Sequence, residues 1–84
     1  MKSIMRKIYS VHIREYNKEK ELIYECETYF SSIPKIIRFI SIREGVKQKT
    51  VKPYLTTNEA IKCYVNKSEL GSITLFEVTT VLVN

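Results

Sequence analysis

Aspartate and tryptophan are absent from this 84-residue chain, alanine and histidine occur once each (Ala60, His12), and glycine, proline and cysteine twice each. Each shortage removes a class of chemistry. Metal-assisted phosphoryl transfer and nuclease chemistry usually recruit aspartate for hard cations. No pair of glutamates here has a ligand-like spacing. One histidine and two distant cysteines supply at most three soft ligands, in no zinc pattern. Gly45 and Gly71 lie too far apart to form a phosphate-cradling loop. His12 falls mid-strand between Ser10 and Arg14, without the nucleophile and orienting group of a triad. These gaps point away from an enzyme and from any small-molecule cofactor, metal or catalytic residue.

Cys26 and Cys63 form no CxxC motif and read as reduced thiols packed in the core of a cytoplasmic protein. The opening MKSIMRKIYSVHI carries positive charge but lacks the continuous apolar stretch of a signal peptide. No segment approaches the ~20 apolar residues of a membrane span, so no membrane partner is expected.

Of what is present, apolar residues make up 44% and charged residues 27%, proportions of a globular chain. Residues 1–84 read as one domain, since chains divide only at greater length. Eleven isoleucines, six tyrosines and three phenylalanines favour strands over long helices. Lysine, isoleucine, tyrosine, asparagine and phenylalanine, all with AT-rich codons, far outnumber glycine, alanine and proline. That bias suits an AT-rich bacterial genome or its phages.

Period-two alternation marks residues 7–15 as a strand with Tyr9, Val11 and Ile13 inward, and residues 21–30 as another with Leu22, Tyr24, Cys26 and Phe30 inward. The polar connector between them makes a hairpin, in which Arg14 and Lys7 would sit across from Glu25 and Glu27. Ser31 and Ser32 as N-caps, Pro34 in the first turn and Gly45 after the end predict a helix over 33–44. Ile33, Ile36, Ile37 and Ile40 form its apolar stripe. The rival is a strand from Phe39 turning at Gly45. Residues 46–55 read as an extended basic edge halted by Pro53. Thr56 and Glu59 read as a capping box opening a helix with Ala60, Ile61, Tyr64 and Val65 on one face. Residues 72–83 are apolar on both faces, as expected of a strand in a sheet centre or at a subunit interface. The fold class is therefore α+β: a small, mainly antiparallel sheet made of the N-terminal hairpin and the C-terminal strand, one or two helices on one face, in the order β-β-α-(β)-α-β.

The formal charge of +5 is segmental: residues 35–53 hold six bases against Glu44. Lys35, Arg38, Arg43, Lys47, Lys49 and Lys52, with Tyr54 beside them, are the candidate binding residues, facing an acidic protein surface or nucleic acid. A non-enzymatic basic binding protein acting by protein–protein contact is the first expectation. Small size and AT-rich composition suit a phage- or mobile-element-encoded inhibitor of a host nucleic-acid enzyme, such as a CRISPR effector or restriction complex. The alternative is an accessory or regulatory protein that binds nucleic-acid backbone. Homo-oligomerisation through the C-terminal strand is a further expectation.

Overall fold

Alternating side chains build the first two strands as expected, except that Leu22 and Tyr24, read as inward, are exposed near the hairpin end of the second strand, which the buried core does not reach. The computed structural model describes residues 6–83; the first five residues, part of the stretch read above for a leader, lie outside the described residues. β1 (Arg6–Tyr16) and β2 (Leu22–Phe30) pair antiparallel, from Tyr9↔Phe30 to Tyr16↔Leu22, with an irregularity between Glu15 and Tyr16. Asn17 closes the hairpin. Its Oδ1 accepts from the backbone N–H of Glu19 and of Glu21, both at 3.0 Å, as expected of an asparagine that mimics a backbone turn.

α1 (Ile33–Glu44) has the predicted limits. Ser32 Oγ accepts from Lys35 N, Pro34 sits in the first turn, and Gly45 adopts φ 67° after the last turn. That left-handed conformation is one a side chain resists. Ile36, Ile37 and Ile40 are buried.

Residues 46–55 correct the expectation of an extended edge: Gln48–Leu55 form a second helix, α2. Val51 and Leu55 are both fully buried, and their spacing of four fits a strand as well as a helix. Pro53 decides between them. In a strand it would share their buried row; in the helix it turns away and is exposed. The missing N–H costs one internal bond, and interior proline costs about 3 kcal/mol. Burying Val51 and Leu55, at roughly 1.5–3 kcal/mol each, offsets that. Thr56 closes α2 through N and Oγ1 on the Lys52 carbonyl, so it ends a helix rather than opening one.

The expected helix over 57–67 is likewise corrected: Ile61–Lys67 form strand β3. Tyr64 is buried as anticipated, but Ile61 and Val65 are exposed on the opposite face. β4 (Ile73–Val83) needs a neighbour on its second side, and β3 pairs with it from Ile61↔Thr79 to Lys67↔Ile73. β-branched and aromatic residues suit that edge better than a helix.

The result is a four-stranded antiparallel sheet of order β2-β1-β4-β3 with both helices on one face, and an element order of β-β-α-α-β-β. Its core joins Val11, Ile13, Phe76 and Val78 of the central strands to the buried residues of α1 and α2. β4 is central as predicted, but only its Thr74, Phe76 and Val78 side is buried. Ile73, Leu75, Val81 and Val83 lie on a face that the helices leave open.

Candidate binding surface

α1, α2 and the turn between them carry six bases and one acid, Glu44. Lys35, Arg38, Lys47, Lys49 and Lys52 are all exposed on the helical layer and its connecting turn. Lys35 Nζ reaches Ser31 Oγ at 2.8 Å, and the other four have no ion-pair partner among the described residues. Tyr54 is 54% exposed, its ring held edge-on against buried Tyr64 at 5.4 Å between centroids.

Arg43 lies apart from these. Its guanidinium is 5.7 Å from the Tyr24 ring and 5.6 Å from the Phe76 ring, and it also meets Glu15 at 3.6 Å and Glu44. Glu44 turns inward and accepts from Asn66 Nδ2 at 3.0 Å; its side chain is only 9% exposed. Arg43 therefore pins α1 to the sheet, where cation–π attraction gains from partial desolvation. The one acid of the layer is withdrawn from its outer surface, which keeps five free cations and an anchored tyrosine.

The open sheet face holds a second polar cluster that the sequence reading matched only in part. Arg14 does pair across from Glu25, with Nε–Oε2 at 3.2 Å. Lys7 instead lies opposite Leu82, and Glu27 opposite His12. His12 Nε2 meets Glu25 Oε2 at 2.6 Å. Tyr29 Oη donates to Glu27 at 2.6 Å. Hydrogen bonds from Tyr29 and then Ser10 hold the Glu27 carboxyl below the usual range, while the same bond raises Tyr29. The stability contributed by Glu27 is thus present above the ordinary glutamate pKa and lost as pH falls through its own. Among the described residues, no group of three or more metal-ligating side chains is placed to hold an ion. Among the described residues no helix is long and apolar enough to cross a membrane.

The thiols depart from the expectation that both are buried. Cys26 is half-buried on the helix side of β2, and Cys63 is exposed on the open face of β3. Their strands are the two sheet edges, about 14 Å apart at ~4.8 Å per strand spacing, beyond disulfide reach. In dilute native buffer Cys63 should react with a thiol reagent well before Cys26; equal rates, read by intact-mass labelling, would contradict this placement.

Tyr64 responds to alkali. Burial first, then the neighbouring Tyr54 and Glu44, push its phenol above the ordinary tyrosine value. The folded state thus prefers the neutral ring, so stability is fully present below a pH of about 10 and falls as pH rises through the raised value. Tyr24 and Tyr29 shift the same way. Tyr64→Phe should move the alkaline unfolding midpoint upward; an unchanged or lower midpoint would show that Tyr64 does not govern it.

Comparison of the chain with protein-family models, curated proteins and solved structures gave no significant match. Fold and surface define it as a small open-faced α+β protein with a basic helical layer.

Proposed function

We propose that this is a non-enzymatic binding protein of the reducing cytoplasm that docks an acidic protein surface on the outer side of its two helices. One observation carries the reading: Lys35, Arg38, Lys47, Lys49 and Lys52 are exposed on the same helical layer as an anchored, half-exposed Tyr54, with the layer's lone acid folded away. Uncompensated charge speeds encounter with an acidic face. A rigid tyrosine supplies contact area at little entropic cost, as binding anchors do. Nucleic-acid backbone would meet the same cations, but Tyr54 spends one ring edge on Tyr64 and no other aromatic accompanies it on this layer's outer surface among the described residues, which leaves little for base stacking.

Size and composition extend this to an inhibitor of a host nucleic-acid enzyme, encoded by a phage or mobile element. A basic inhibitor would meet such an enzyme on its acidic exterior, because the enzyme's own substrate groove is basic. The test is capture from a host lysate on immobilised protein at two salt concentrations, with and without nuclease. A single protein retained after nuclease supports the reading. Recovery of nucleic acid alone, lost on nuclease treatment and falling steeply with salt, would replace it with backbone binding.

A further inference from the structure

The face of the sheet opposite the helices is uncovered and rich in apolar side chains. Ile23, Tyr29 and Ile61 are each more than half exposed there, and Val65 is 44% exposed. Sheets of this kind are normally covered on both sides once both carry apolar residues. We propose that this face binds a second copy of the same chain, sheet against sheet, about a two-fold axis that runs parallel to the strands midway between β1 and β4.

The register carries the argument. Such an axis sets β1 over β4 of the second copy and β2 over its β3, so facing pairs repeat the pairs already side by side in one sheet. In-sheet neighbours on this face are Ile8↔Val81, Ser10↔Thr79, His12↔Glu77, Arg14↔Leu75 and Tyr16↔Ile73. Across the interface apolar therefore meets apolar at the ends, hydroxyl meets hydroxyl, His12 meets Glu77, and the aliphatic stem of Arg14, its guanidinium held by Glu25, lies over Leu75. Glu77 has no hydrogen bond or ion pair among the described residues. The second copy gives it one, twice over by symmetry. Along the edges Tyr29 faces Ile61, and Glu27 and Glu25 face the uncharged Cys63 and Val65. Stacked sheets lie ~10 Å apart, within reach of facing histidine and glutamate side chains. The ~30° angle between aligned sheets displaces the ends more than this central row.

The size also fits. Four strands of 7–11 residues present about 600 Å² in plan at ~3.3 Å per residue and ~4.8 Å between strands, before side-chain relief is counted. Standard interfaces cover ~800 Å² per partner. The shape agrees: the Cα radius of gyration is 14.2 Å, against roughly 12 Å for a compact domain of this length. This inference does not depend on the basic layer, which stays on the outer side of each copy.

The test is sedimentation equilibrium with a cysteine cross-link. The wild type should reach twice the chain mass as concentration rises, and Cys63 labelling should slow in parallel. Leu75→Lys should weaken association at least about 100-fold, since each dimer loses two buried leucines. Circular dichroism checks that this variant folds. In a Cys26→Ser background, Glu27→Cys faces Cys63 of the second copy, whereas within one chain the two positions are about three strand spacings, ~14 Å, apart. A short bis-maleimide, which spans the ~10 Å between sheets that a direct disulfide does not, should then give a covalent dimer that is lost with Cys63→Ser. A chain of single mass at every concentration, or a Glu27→Cys variant that never cross-links through Cys63, overturns the proposal, whether or not Leu75→Lys folds.

Discussion

Phe76→Ala should lower stability by about 3–5 kcal/mol, the usual range for a buried phenylalanine. The ring has no exposed surface and lies in β4 between Ile13 of β1 and Tyr64 of β3. It faces Tyr64 at 6.2 Å and the Arg43 guanidinium at 5.6 Å. The substitution therefore opens a cavity and also strips one wall from the contact that pins α1 to the sheet. A domain of this size has a net stability of ~5–15 kcal/mol, so the variant should melt at least about 15 °C lower. Leu82→Ala, at a position 56% exposed, is the control and should lose well under half as much. A Phe76→Ala loss below about 1 kcal/mol would place the core elsewhere.

Reversing Lys47, Lys49 and Lys52 to glutamate should abolish partner binding while leaving the fold intact. The formal net charge of +5 falls by six, to −1, all of it on the exposed side of α2 and its N-cap. Lys47 caps α2 through backbone alone, with no side-chain hydrogen bond to lose. Glutamate at position 49 suits a helix N-terminus and glutamate at 52 opposes the C-terminus, each by about 0.3–1 kcal/mol, so the two nearly cancel. The melting temperature should stay within a few degrees by the usual scaling. Were nucleic acid the partner, loss of three phosphate contacts would flatten the slope of log affinity against log salt by about three.

What could be read from the residues alone follows how local the deciding forces are. α1 was legible because Ser32, Pro34 and Gly45 act within a turn of their own positions. The N-terminal hairpin was legible because alternation and the Asn17 turn are also local. Residues 48–55 and 61–67 were not. Val51 and Leu55 share a face in either conformation, and only packing under α1 turns Pro53 outward. Ile61, Tyr64 and Val65 match a helical stripe, and only the unpaired side of β4 makes them a strand. The basic surface was legible as charge but not as geometry. Nothing in the spacing of Arg43 and Glu44 says that one lies between Tyr24 and Phe76 and the other reaches Asn66, twenty-two residues away. The open-face pairing of His12 with Glu25 was missed for a related reason: it runs diagonally between strands, two residues off the direct register.

On the proposed reading the outer side of the helical layer is the binding surface. Its most direct measurement is the affinity of the nuclease-resistant partner, once captured, for the wild type and for the triple reversal at equal salt. The expected result is a loss of at least about 100-fold, equivalent to ~2.7 kcal/mol, with an unchanged melting temperature. Equal affinity for the two proteins would contradict the claim and leave Lys47, Lys49 and Lys52 as solvating charges on a helix that touches no partner.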